Sequence, residues 1–328
     1  NGFMLQVAIA DVADIVKQGT ELDFEALKRG TSIYFPKKVI PMLPEEISNN
    51  LCSLVPREDR NVLVCKIIFN KEGVINSYEF NEAIINSNKR FTYNEVEYLS
   101  QDNQVNISSN ILDSIISLKK LTKKLLKERL KRNALEIDSA EPILKFDNKD
   151  NISEVSVPKR LFAHQMIEEA MISANICAAK FIKKHLGFGV YRIHEEPENL
   201  KIENLKKFFS LKGLSSKSFS DTLELINGFI GHVNKNEENK MLNILILQSL
   251  KRAQYSTKEV GHFGLQLKEY SHFTSPIRRY PDLISHRLIK NILNKEVQSQ
   301  SIEHLEETLS ELSSLEKRAE NSSRQVTQ

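Results

Sequence analysis

Two hydrophobic periodicities divide this chain, and their order along it constrains the fold more than any other feature. From Phe3 to Asn86 the apolar residues come in strand-like runs. FMLQVAIA reads as a buried strand, Val62 to Phe69 alternates as a second, and Val74 to Asn86 continues the sheet after a turn at Gly73. From Asn110 the spacing becomes helical: Leu112, Ile115, Leu118, Leu121, Leu125 and Leu130 recur at helical intervals up to Arg132. A second long helix is expected from about Lys159 to Lys184, several between 200 and 252, and a terminal amphipathic helix from Ile302 to Ala319. Strands gathered first and helices after them predict an α+β domain, with helices packed around a strongly bent antiparallel sheet.

Smaller signals fill in the connections. Leu22 to Arg29 is helical and Gly30 is placed to stop it. SIYFP is extended because Pro36 biases the preceding residue away from helix. The segment with Pro41 and Pro44 is an irregular crossing with a short helical turn, and FTYNEVEYL begins another helix. PILKFDNKDNISEV is hairpin-like, whereas GLSS and NKNEEN join helical pieces in the second half.

With 328 residues, 40 % of them apolar and 27 % charged, the chain can bury a large core and is neither collagen-like nor disordered. No run approaches the roughly 18–20 apolar residues of a membrane span, and no signal-peptide pattern opens the chain. Cys52, Cys65 and Cys177 are too few and too scattered for a disulfide framework or a cysteine-rich zinc site, so a cytoplasmic location is expected. A net charge of +3 says little about partners. Its distribution says more: Lys119 to Arg132 holds eight basic residues and one acidic one, a solvated helix face or a surface for a polyanion.

The densest chemical signal is YSHFTSPIRRYPDLISHR, Tyr270 to Arg287. Ser275 is expected to cap a helix with Pro276 in its first turn, which brings Arg278 and Arg279 to a positive helix end beside Phe273 and Tyr280. Two guanidiniums there favour a phosphoryl group, because arginine presents a fixed fork of donors. The alternatives are an ordinary Arg278–Asp282 pair four residues apart and an Arg279 stem covering apolar surface. His194, His262, His272 and His286 lack metal-ligand spacing and are read as hydrogen-bonding residues that orient loops and helices.

Glu168 and Asn175 lie seven apart on one helix face with Ile172 and Ala179. They would meet either a ribose hydroxyl or another part of the fold, with Glu169 a solvated neighbour. Tyr34 and Phe35 point oppositely in an extended segment, so one ring can face a groove, and Tyr93 near Arg90 offers a similar arrangement. Phe146 is either a base contact or hairpin packing. Asp11, after the first strand, reads as structural support, and with Asp14 it falls short of the converging carboxylates that metal-assisted phosphodiester chemistry requires.

Taken together, VAIADV, RGTSIYFP, VIPMLPEEISNNLCSL, MIEEAMISAN, YRIHEEP and HFTSPIRRYPDLISHR resemble the RNB catalytic domain of the ribonuclease II/R family, in family order across nearly the whole chain. RGTSIYFP and HFTSPIRRYPDL look more like the ribonuclease R branch. The resemblance implies an RNB-type domain over 1–320, incomplete at its amino end, with 321–328 a polar linker or domain end. It implies magnesium-dependent, processive 3′ to 5′ hydrolysis of single-stranded RNA to nucleoside monophosphates.

By the same resemblance, Arg278 stabilises the transition-state phosphate and Arg279 is a further phosphate anchor. Tyr34 stacks at the terminal nucleotide, Tyr93 positions RNA, Glu168 or Glu169 contacts the terminal ribose, and Phe146 clamps bases. The family's metal-binding aspartates precede the first strand of this chain, so no metal ligand is assigned within residues 1–328, and a fragment of this extent is expected to be inactive alone. The family's flanking oligonucleotide-binding barrels are likewise not represented. A non-catalytic RNA-binding module and a scaffold independent of nucleic acid are the other functional classes.

Overall fold

The computed structural model describes residues 2–101, 107–137, 143–147, 151–211, 219–235, 242–296 and 301–327. The expected joints at GLSS and through most of NKNEEN lie outside these residues. Strand β1 (Phe3–Ala10) pairs antiparallel with β4 (Asp59–Phe69), which pairs antiparallel with β5 (Ile75–Asn86), in the order β1-β4-β5. The other strands form separate antiparallel pairs. These are β2 (Ile33–Tyr34) with β3 (Val39–Ile40), β6 (Ile143–Phe146) with β7 (Ile152–Ser156), and β8 (Tyr191–Ile193) with β9 (Gln254–Ser256). The fold is mixed α and β, as the order of periodicities predicts.

Between β1 and β2 stand a single turn, α1 (Val12–Ile15), and α2 (Glu21–Arg29). Thr20 caps α2 by accepting from the Asp23 amide, and Gly30 ends it with φ of +67°. A side chain at that glycine would be strained in the left-handed region and would strike Leu315 and Leu312. A π-type turn at Glu46–Leu51 fills the proline-rich crossing. Helix α3 (Tyr93–Ser100) opens on a capping box between Thr92 and Glu95, and α4 (Ser109–Lys131) follows.

The central element is α5 (Phe162–Leu186), whose small buried residues Ala174, Cys177 and Ala178 let it lie against β1 and β4. Its other neighbours are α3, α4 and α9 (Tyr280–Asn294). The main core joins Leu63, Cys65 and Ile67 of β4 to Phe273, Leu283 and Ile289. A second core forms among α6 (Asn199–Leu211), α7 (Thr222–Val233) and α8 (Asn243–Ser249), where Phe209 and Phe229 stack 4.0 Å apart.

The last helix, α10, runs from Ile302 to Thr327, well past Ala319, so 321–327 continue a helix in the stretch expected to be a polar linker or domain end. It packs against β9 and β2. Among the described residues no helix is long and apolar enough to cross a membrane.

Candidate nucleic-acid interface

Residues 276–278 form a turn, and α9 starts only at Tyr280, with Arg279 at its N-cap. The expected cap at Ser275 is therefore displaced: the Ser275 carbonyl receives the amides of Arg278 and Arg279, while its own amide donates to Asp282 Oδ1 at 2.7 Å. The displacement changes which arginine finds the carboxylate. Arg279 grips Asp282 in bidentate fashion, Nε to Oδ2 and Nη2 to Oδ1, both at 2.8 Å, and Asp282 is fully buried. Burial opposes the Arg279 charge, but Asp282 outweighs it and raises the guanidinium above its ordinary range. Only 15 % of that side chain is exposed, so Arg279 anchors the turn first.

Arg278 differs. Its side chain is exposed, and among the described residues no carboxylate is paired with it. Its backbone is held from a distant part of the chain, since its carbonyl accepts from the Ser32 amide and from Thr31 Oγ1, each at 3.0 Å. The Tyr280 amide adds a bond to the Gly30 carbonyl at 2.9 Å. Thr31 and Ser32 immediately precede β2, so the strand carrying Tyr34 is fastened to the turn carrying Arg278.

The consequence is a shared cavity of about 640 Å³, lined by Tyr34, Arg278 and Arg279 together with Glu316, Glu320 and Arg324 of α10. Tyr34 is 49 % exposed, and its carbonyl accepts from Ser323 Oγ at 2.6 Å. The acidic residues of α10 are matched elsewhere: Glu316 pairs with Arg192 at 2.6 Å and Glu320 with Arg252. Tyr34 and Arg278 also line a second cavity, of about 410 Å³, beside the end of β1. An exposed ring and an exposed guanidinium on common walls suit a base and a phosphate of one strand.

The remaining sequence candidates divide. Phe146 lies under Lys37 Nζ, 4.0 Å from its ring centre, which brings the β6–β7 hairpin to the β2–β3 hairpin that bears Tyr34. Tyr93 is 46 % exposed and stacks on His164 at 4.1 Å, at the α3–α5 contact and away from the residues lining the Arg278 cavity. Asn175 takes the internal alternative: it is 3 % exposed, its Nδ2 donates to Tyr270 Oη, and its Oδ1 accepts the Phe273 amide at 2.9 Å. Asn175 thus fixes the loop leading to Arg278.

Glu169 is buried, contrary to the expectation of a solvated neighbour, because Arg129 turns inward from α4. Arg129 Nη1 donates to Glu169 Oε1 at 2.9 Å and to Glu168 Oε1 at 2.8 Å. Glu168 also meets Arg160. Burial alone would raise the Glu168 carboxyl, but hydrogen bonds and charge from Arg129, joined by Arg160, hold it below its ordinary value. The basic stripe of α4 is accordingly split: Lys120, Lys123, Lys127 and Lys131 stay exposed, whereas Arg129 is structural.

The histidines orient the framework. His286 Nε2 donates to the Phe273 carbonyl at 2.8 Å, and burial depresses its ring to about 4. His272 Nδ1 lies 2.8 Å from Tyr255 Oη, and burial holds His272 well below the usual histidine range. His262 and His194 accept the Leu265 and Gly264 amides through Nδ1, and burial lowers His262 to about 3.

Asp11 caps α1 and is engaged by Lys290, while Asp14 is bonded to Lys17 and Asn61. Among the described residues no three His, Cys, Asp or Glu side chains gather where a metal ion could sit, so these residues do not fit a magnesium centre.

Comparison with known proteins defines the class: the RNB domain family matches residues 1–295, and the chain belongs to it. The particular relatives are ribonucleases R. Those of Vibrio parahaemolyticus and Escherichia coli are each 40 % identical over 302 residues, 90 % of this chain and 36 % and 37 % of their own lengths. This chain thus spans little more than a third of these relatives.

Mycoplasma genitalium RNase R, solved in complex with ribose-methylated single-stranded RNA, superposes with a TM-score of 0.90 at 30 % identity. The match covers 99 % of this chain and 52 % of that one. Yeast Ssd1, described as a pseudonuclease, shares the fold with a TM-score of 0.76 at 21 % identity, over 96 % of this chain and 39 % of its own.

Proposed function

We propose that this chain is the RNA-cleaving domain of a 3′ to 5′ exoribonuclease acting on single-stranded RNA and releasing nucleoside monophosphates. The observation that carries the reading is the pairing of exposed Tyr34 and exposed Arg278 on common cavity walls, tied together through Thr31 and Ser32. Tyr34 stacks on a base near the 3′ end without selecting its identity. Arg278 meets the negative charge that grows on the phosphoryl oxygens as the ester is cleaved, where preorganised donors act most strongly. Arg279, through Asp282, keeps that turn in place; Phe146 and Tyr93 contact RNA further along, and Glu168 approaches the terminal ribose.

The family resemblance places the magnesium ligands before the first strand, and among the described residues no carboxylates converge on a metal-sized site. On that resemblance, residues 1–328 alone are inactive and the full-length protein is processive.

The test uses the full-length protein with magnesium and 5′-labelled single-stranded RNA. The expected result is a ladder shortening from the 3′ end with release of nucleoside 5′-monophosphates. Salt-sensitive binding without hydrolysis would identify a non-catalytic RNA-binding module instead, and no salt-sensitive binding at all would leave a scaffold.

A further inference from the structure

Thr274 is 8 % exposed, and its hydroxyl is buried with no hydrogen-bond partner. Buried hydroxyls are nearly always bonded, so an orphan in a fixed loop needs a physical reason. The loop is fixed on both sides of it: Asn175 Oδ1 accepts the Phe273 amide at 2.9 Å, and Asp282 Oδ1 accepts the Ser275 amide at 2.7 Å. Two helices therefore hold the flanking backbone, and a β-branched side chain has little freedom to turn toward another partner. Thr274 lines the cavity of about 410 Å³ beside β1, whose other walls include Ala8, Ala10, Tyr34, Ser48, Ser53 and Arg278. Alanines at the strand end leave space there and offer no polar group of their own side chains.

We propose that this cavity is a phosphoryl subsite in which Thr274 Oγ1 and the Arg278 guanidinium donate to oxygens of one phosphate. Arginine is a donor only, so a ligand atom that serves both it and a neighbouring hydroxyl must be an acceptor, and an anionic oxygen is the strongest. The inference rests on the nuclease reading above and adds Thr274 to the groups that touch substrate.

The experiment uses the full-length protein and a single-stranded RNA pentamer, measuring both the dissociation constant and kcat/KM. The pentamer is used unmodified and with sulfur replacing either non-bridging oxygen of its last phosphodiester. Thr274→Val, which keeps shape and loses the hydroxyl, is expected to weaken binding roughly 10- to 100-fold, while Thr274→Ser stays near wild type. One sulfur diastereomer should weaken binding to wild type but bring little further loss to Thr274→Val.

If Thr274→Val binds and cleaves like wild type while Arg278→Ala loses both, water alone fills the site and the Thr274 inference is overturned with the nuclease reading intact. If Arg278→Ala is also indistinguishable from wild type, the underlying reading itself fails. Should the valine variant not fold, Thr274→Ala and the diastereomer preference of wild type carry the same test: no preference by wild type for either diastereomer overturns the subsite.

Discussion

Replacing Asp282 should collapse the turn that presents Arg278. The fully buried carboxylate accepts three hydrogen bonds, two from the Arg279 guanidinium and one from the Ser275 amide. Asp282→Ala leaves a largely buried cation and a backbone amide unpaired, and breaking a buried ion pair from one side costs about 3–5 kcal/mol. Asp282→Asn keeps the shape and one acceptor, so it should lose less. Because the turn sets the Arg278 position, a displacement of the order of 1 Å should lower turnover about 100-fold.

Urea unfolding gives the first quantity, and single-turnover cleavage of a short RNA by full-length protein gives the second. The double variant Arg279→Met, Asp282→Leu should be less destabilised than either single change, since it leaves no unpaired charge. Asp282→Ala unfolding within about 1 kcal/mol of wild type, at unchanged cleavage rate, would refute the reasoning, because a surface-like pair has that size.

Glu169→Gln should destabilise more than Glu168→Gln in the same unfolding assay, because Glu169 is buried against Arg129 whereas Glu168 is partly solvated and shares Arg160. His286 is depressed in the fold to about 4 from an ordinary 6.5, so its neutral form contributes fully above pH 6.5. That contribution is lost as pH falls toward 4, on the order of 3 kcal/mol. His286→Gln keeps a donor for the Phe273 carbonyl and should flatten part of the slope in pH-dependent unfolding. Tyr34→Ala should weaken binding of single-stranded RNA by about 1–3 kcal/mol and Tyr34→Phe hardly at all, measured by fluorescence anisotropy, since stacking needs the ring.

Local chemistry was legible in the sequence where neighbours in the chain are neighbours in space. Gly30 stops α2, FTYNEVEYL opens α3, and Leu121 and Leu125 of α4 face inward, all from spacings of a few residues. The Arg278–Asp282 pair, the alternative to phosphate binding, does not form, for an equally local reason. Counting four residues back along a continuous helix selects Arg278, but a turn precedes α9 and delivers Arg279.

What spacing could not reveal are partners far apart in the chain. Arg129 meets Glu169 across 40 residues, and Thr31 meets the Arg278 carbonyl across 247. Helical periodicity announced α10, yet nothing in it says that Glu316 and Arg324 line the same cavity as Tyr34. Thr274 carries no signal at all, because an orphaned hydroxyl is defined by its surroundings.

The central claim is that Arg278 acts on the phosphate being cleaved. Full-length Arg278→Ala, assayed on a short single-stranded RNA at saturating magnesium, is predicted to lose about 100-fold or more in turnover with unfolding stability unchanged, since its exposed guanidinium supports no part of the core. Wild-type turnover by that variant would contradict the account.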